Sequence, residues 1–263
     1  MDLGLHGKRA LVLGASKGIG RGIAAELASE GARVILASRD GEACAAVAAE
    51  LSRTHGTEVI GTSCDMSDMD AVDRVAAFAE TAFGGIDVLV NNTGGPPFGP
   101  ISQVESETWR QYFESMFVSV TRLTGHLLPG MRERGWGRIL IVTSTGVIEP
   151  IPQLGISNAL RIALTNWAKT ISLEIAPDGV TINALMPGRI ATDRIQQFYE
   201  VAAKQKNTDI ETIKAEVGAS IPMGRVGTVE EFAALAAFLA SERASYITGT
   251  TTAIDGGVSK RGV

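Results

Sequence analysis

The chain has 263 residues, is 45% hydrophobic and 20% charged, and carries a formal net charge of −5. That is enough apolar material for one substantial core, so a single domain over residues 1–263 with one main ligand cleft is expected. The modest negative charge, the lack of a dense Lys/Arg run and the lack of about 18 consecutive apolar residues exclude a nucleic-acid arm and a membrane span. A protein acting on a small molecule is the expectation. The segment before the first apolar run, Met1 to Arg9, is too short for a signal peptide, which points to the cytoplasm. Cys44 and Cys64 stand in unlike contexts without metal or CxxC spacing, so two free thiols and no metal site are expected.

Short apolar runs alternate with longer amphipathic stretches from one end of the chain to the other. The runs are Ala10-Leu11-Val12-Leu13, Val34-Ile35-Leu36-Ala37, Val59-Ile60-Gly61, Val88-Leu89-Val90, Ile139-Leu140-Ile141-Val142, Val180-Thr181-Ile182-Asn183 and Thr251-Thr252-Ala253-Ile254. Their length suits buried parallel strands, and the intervening stretches, such as 19–30, 68–83 and 228–240, carry helical spacing. The pattern predicts an α/β fold of the Rossmann type: a doubly wound parallel sheet of about seven strands with helices on both faces. Residues just after each strand then surround the cleft. A polar insertion at about 190–222 is long enough to form a lid.

After the first strand comes Gly14-Ala15-Ser16-Lys17-Gly18-Ile19-Gly20. Glycines at a strand-to-helix turn let the backbone approach a pyrophosphate, while the helix N-terminus supplies N–H donors. The second strand ends in Ser38-Arg39, where an NAD site would place an acid for the ribose 2′-hydroxyl. Arg39, with Lys17 as a second cation, suits the 2′-phosphate of NADP(H) better, the plain alternative being that both are solvated surface charges. Asp65, followed by Met66, closes the third strand and can accept from an adenine amino group. Asn91-Asn92-Thr93-Gly94 closes the fourth, where it is expected to adjoin the adenosine ribose and can at the same time cap the strand end.

Taken together, these motifs resemble the short-chain dehydrogenase/reductase family, and especially its 3-oxoacyl-acyl-carrier-protein reductases. The resemblance extends through Ser144, Pro187-Gly188 with Thr192, Tyr246-Ile247-Thr248-Gly249 and Asp255-Gly256-Gly257, nearly the whole chain. It implies that Pro187, Gly188, Ile190 and Thr192 wrap the nicotinamide carboxamide, and that the protein is a homo-oligomer, tetramer or dimer. One small departure is Leu13, where the family usually has threonine. A larger departure concerns the family's proton-relay tetrad of Asn, Ser, Tyr and Lys. Spacing from Ser144 puts its tyrosine at Ser157 and its lysine at Arg161, and the helix asparagine falls at Met116. An aliphatic hydroxyl is a far weaker acid than a phenol, and an arginine stays protonated, so the usual relay is missing.

Ser157 and Arg161 lie four apart on a predicted helix and so share a face. Two readings stand side by side. In one, Arg161 bonds the nicotinamide ribose while Ser144 and Ser157 donate to a substrate oxygen; in the other, Arg161 is pinned by a local carboxylate at a plain helix start. Tyr112, Tyr199 and Tyr246 are expected to serve packing or surface, with Tyr199 and Glu149 as minor candidates for a replacement acid. His6, His55 and His126 are not placed for catalysis. The expected function is an NADP(H)-dependent oxidoreductase acting on a carbonyl or alcohol, a 3-oxoacyl thioester among the candidates. The alternative is a nucleotide-binding protein without efficient hydride transfer, a sensor or assembly partner.

Overall fold

A computed structural model describes residues 2–260. Seven strands form one sheet in the order β3-β2-β1-β4-β5-β6-β7: β1 (Arg9–Leu13), β2 (Arg33–Ser38), β3 (Val59–Ser63), β4 (Val88–Asn91), β5 (Gly137–Val142), β6 (Val180–Pro187) and β7 (Thr251–Ile254). Every pairing is parallel, with Leu11 opposite Ile35 on one side and Leu89 on the other. All seven apolar runs are strands, and β6 runs on to Pro187 beyond the expected Asn183.

The connections are α1 (Gly18–Ser29), α2 (Gly41–His55), α3 (Met69–Phe83), α4 (Ser106–Phe113), α5 (Ser119–Glu133), α6 (Gly155–Ile175), α7 (Asp193–Lys206), α8 (Ile210–Ala219) and α9 (Val229–Ala240). Local chemistry fixes several of their ends. Asp40 accepts from the Ala43 N–H at the start of α2, and Gly56 closes that helix in the left-handed region at φ 69°. Thr228 and Glu231 form a reciprocal capping box at the start of α9.

Strand side chains alternate between faces, and so build two cores. Val12, Leu36, Val90 and Leu140 pack with Ile23 and Leu27 of α1, Val47 of α2 and Phe232 of α9. Leu11, Ile35, Leu89 and Ile141 pack on the other face with Val75 of α3, Leu123 of α5 and Leu164 of α6. Because α1 and α3 lie on opposite faces, a crevice opens at the carboxyl ends of β1 and β4, where the strand order reverses. Below the other end of the sheet, Asp87 accepts from the Arg9 backbone N–H at 3.0 Å and Nε at 2.8 Å, and from Arg134 Nε at 3.2 Å. Among the described residues no helix is long and apolar enough to cross a membrane, and no cluster of His, Cys, Asp and Glu suits a metal. Cys44 and Cys64 are free and buried.

Candidate active site

The glycine turn is built by close approach. Asn92 Nδ2, at the end of β4, donates to the Leu13 and Gly14 carbonyls at 3.2 and 3.4 Å. A Cβ on Gly20 would stand 2.3 Å from the Gly14 oxygen and 2.8 Å from Asn92 Nδ2, so nothing larger than glycine fits there. Gly14 and Gly18 take φ of 60° and 58°, which favours glycine at both. Asn92 therefore holds the turn itself, the structural side of the two readings given to it. Ser16 sits half-buried within the turn.

Farther out, Ser38 Oγ donates to the Asp40 carbonyl at 3.0 Å and accepts from Cys44 Sγ at 3.2 Å. Arg39 is exposed and meets no acid among the described residues. Lys17 differs from the expectation of a second free cation: its Nζ lies 2.8 Å from Asp193 Oδ2 at the start of α7, with both side chains largely exposed. Asp65 is turned back onto Ser67, accepting from its backbone N–H at 2.9 Å and its hydroxyl at 2.8 Å. Met66 packs half-buried against the core beside Cys64.

From this turn a cavity of about 430 Å³ runs along the carboxyl edge of the sheet. It brings together Lys17, Gly18, Ile19, Asn92, Gly94, Ser144, Ser157, Arg161, Pro187, Gly188, Ile190 and Thr192, all singled out in the sequence. Gly14, Ser16, Gly20, Ser38, Arg39, Asp65 and Met66 lie outside its walls. Thr93 also lines it, with a buried hydroxyl that has no partner. An elongated crevice with a glycine cradle at one end and an unpartnered buried hydroxyl along its wall fits a dinucleotide.

The residues that spacing assigns to the tetrad positions have a definite geometry. Arg161 is buried, and its Nη1 donates to the Val142 carbonyl at 2.7 Å, its Nη2 to the Thr93 carbonyl at 3.4 Å and its Nε to Ser157 Oγ at 3.2 Å. No carboxylate pins it; backbone carbonyls at the ends of β4 and β5 do. Burial, and then the charge of Arg194, pull its pKa down to about 10, which leaves it a cation at neutral pH. Ser144 Oγ accepts from the Gly146 N–H at 3.1 Å. Each serine oxygen thus accepts a bond from the protein, which leaves its own O–H free to donate.

Met116 lies in a π-turn, Glu114–Val118, that joins α4 to α5. It is buried against Ile156, Leu160, Val104, Trp109 and Tyr112, an apolar patch with no water-holding amide. Tyr199 is buried with Ile195, Ala203 and Ile213 between α7 and α8, and does not line the cavity. Tyr112 also lies off it, whereas Tyr246 is fully exposed and Glu149 stands on its wall. His126 reaches Asp73 at 2.8 Å, away from the cleft.

Cavity residues that the sequence reading passed over include Phe98 and Arg194, while Arg189 was read only as one member of the run that wraps the carboxamide. The run Pro187-Gly188-Arg189-Ile190-Ala191-Thr192-Asp193-Arg194 held the signal, two arginines in a segment already assigned to the cleft. The Arg189 and Arg194 guanidinium carbons each lie 4.2 Å from a ring centroid, over Phe198 and Phe98 respectively.

Sheet order, glycine cradle and cleft define a nucleotide-binding α/β protein of the dehydrogenase kind. The chain belongs to the short-chain dehydrogenase/reductase family. The profile of the family described as "Enoyl-(Acyl carrier protein) reductase" matches residues 14–259. Dehydrogenase/reductase SDR family member 4 of Sus scrofa is 35% identical over 258 residues, 98% of this chain and 89% of that protein. The NADPH-dependent reductase BacG of Bacillus subtilis is 35% identical over 254 residues, 96% of this chain and 98% of that one. The crystal structure of L-sorbose reductase from Gluconobacter frateurii, complexed with NADPH and L-sorbose, is similar with a TM-score of 0.95 at 33% identity, covering 99% of this chain and all of that one.

Proposed function

We propose that this protein is an NADP(H)-dependent oxidoreductase that interconverts a small carbonyl compound and its alcohol, with a 3-oxoacyl thioester among the substrates to test. The cofactor assignment is supported by the exposed Arg39 at the end of β2, by the absence of an acid there, and by the NADPH of the relatives. Gly14 to Gly20 would hold its pyrophosphate, and Pro187, Gly188, Ile190 and Thr192 its nicotinamide. When bound, NADPH supplies a hydride.

The observation that carries the chemistry is the bond from Arg161 Nε to Ser157 Oγ. A hydroxyl oxygen that accepts from a buried cation is polarised, and its proton is freed for the cleft. Ser144 is oriented in the same way by the Gly146 N–H. Two such donors make an oxyanion hole for the charge that develops on a carbonyl oxygen during reduction. Neither hydroxyl titrates in the ordinary pH range, so the last proton is drawn from water in the cleft. Polarisation without a general acid predicts a reductase that suits activated carbonyls and works slowly on plain ketones.

Ser157→Ala should leave NADPH binding intact and lower the rate of single-turnover NADPH oxidation by about 10²-fold. An unchanged rate sinks this role for Ser157. Association into a dimer or tetramer is part of the proposal, supported by exposed Ile162 and Leu173 on α6. Light scattering of the purified protein checks it, and a monomer at micromolar concentration rejects it.

A further inference from the structure

Three arginines line the cavity without a carboxylate partner among the described residues: Arg161, Arg189 and Arg194. Arg161 is committed to backbone carbonyls. Among the described residues, the Arg189 guanidinium bonds no backbone carbonyl and the Arg194 guanidinium bonds only one. They bracket a pair of tilted rings, Arg194 over Phe98 and Arg189 over Phe198, with the two ring centroids 6.3 Å apart and the planes at 49°. Arg194 Nη2 makes one further bond, to the Pro96 carbonyl at 2.8 Å.

Guanidiniums supported on ring faces keep most of their in-plane N–H donors for another acceptor. Burial pulls the pKa of both below the ordinary arginine value, so desolvation is being met without a counter-charge. Acids on the same walls do not offset them: Asp193 is taken by Lys17, which leaves Glu149 alone against three arginines. Resting on the oxidoreductase reading above, we infer that the substrate carries a carboxylate, held by Arg189 and Arg194. Its tail would lie along Phe98, Ile151, Leu154 and Ile195, apolar residues of the same cavity. Two elements supply the grip. Phe98 comes from the loop after β4, and Arg189, Arg194 and Phe198 come from the segment that follows β6. A substrate anion would therefore tie α7 to the body of the protein.

The experiment is a calorimetric titration of the NADP⁺-loaded protein with straight-chain 2-oxo acids of four to eight carbons, each paired with its neutral methyl ester. At least one acid is expected to bind tenfold or more tightly than its ester. Arg189→Gln and Arg194→Gln should each remove most of that difference, while Arg194→Lys, which keeps the charge, should retain part of it. NADPH affinity, measured separately by fluorescence, should stay within threefold in all three variants. Failure of every acid to bind, equal binding of acids and esters, or a parallel loss of NADPH affinity that assigns the arginines to the cofactor phosphates would each overturn the inference. Charge-selective binding without NADPH oxidation would uphold it while removing the oxidoreductase reading, so the two stand or fall separately.

Discussion

At the scale of single residues, Met116, Ser157 and Arg161, which spacing assigns to tetrad positions, are each fitted to their surroundings. Met116 is sealed by Ile156, Leu160 and Trp109, and Arg161 reaches carbonyls at the ends of both neighbouring strands. Restoring an asparagine at 116 would bury an amide among apolar side chains, so Met116→Asn should lower stability by about 1–3 kcal/mol, read from urea denaturation midpoints. A midpoint equal to that of the parent would show that the patch admits water. The triple change Met116→Asn, Ser157→Tyr, Arg161→Lys must further fit a phenol where Ser157 is buried, and free the Val142 carbonyl of its donor. It is expected to fold poorly rather than to regain the family's relay. At the cofactor end, Arg39 should give NADPH a preference of about tenfold over NADH, as one charge-assisted contact to the 2′-phosphate allows. Arg39→Asp should erase or reverse that preference in a fluorescence titration, and equal affinities in the parent protein would contradict it. The sequence placed Ser144, Ser157 and Arg161 together by spacing, and the structure has all three on one cavity. The shared face of Ser157 and Arg161 was legible, but the other partners of Arg161 were not, because they are backbone carbonyls, which have no signature in a sequence.

Among elements, the strands were the most legible feature: uninterrupted β-branched runs bounded by turns have few other outcomes in a buried parallel sheet. The boundary of β6 was less so, since Ala184-Leu185-Met186-Pro187 gives no strong β signal and is held in the sheet by pairing with β7. The glycine turn admits a sharp test. Gly20→Ala would drive a methyl group into the Gly14 carbonyl and the Asn92 amide, so NADPH binding should be lost at concentrations that saturate the parent. At the other end of the sheet, Asp87 ties β1 to β4. Burial alone would raise its pKa, but bonds from the Arg9 side chain and backbone outweigh burial and hold it below its ordinary 3.8. A depressed acid stabilises the fold above its unfolded value and loses that effect as pH falls through the folded one. Asp87→Asn should therefore lower stability by about 3 kcal/mol at pH 7. The gap from the parent should narrow below about pH 4, where the unfolded carboxylate takes up its proton. A gap that does not change with pH would assign the loss to packing.

For the whole molecule, we propose that the segment between β6 and α9 governs access to the cleft, part of whose wall it supplies. Residues 190–222, expected as an insertion, hold α7 and α8, which share a small apolar cluster of their own around Tyr199 and Ile213. Contacts to the body are mixed: Ile190 packs in the main core and Phe198 meets Phe98, while Lys17 with Asp193, Arg194 with the Pro96 carbonyl, and Gln205 with Gln153 at 3.3 Å are polar. The two exposed pairs, Lys17 with Asp193 and Gln205 with Gln153, hold little energy, about 1 kcal/mol or less each, so α7 and α8 are expected to open more readily than the sheet. Bound NADPH should slow proteolytic cleavage within 190–222 by several-fold, and equal cleavage rates with and without cofactor would deny it a gating role.

The central claim is that polarised serine hydroxyls, without a titrating phenol, support hydride transfer from NADPH to a carbonyl. Stopped-flow single-turnover oxidation of protein-bound NADPH, followed from pH 6 to pH 10 with an activated 2-oxo or 3-oxo compound, addresses it most directly. A measurable transient that varies little across that range, and falls by about 10²-fold in Ser157→Ala, is the expected result. Bound NADPH that is never oxidised, or a rate governed by a single ionisation and indifferent to Ser157, would contradict it.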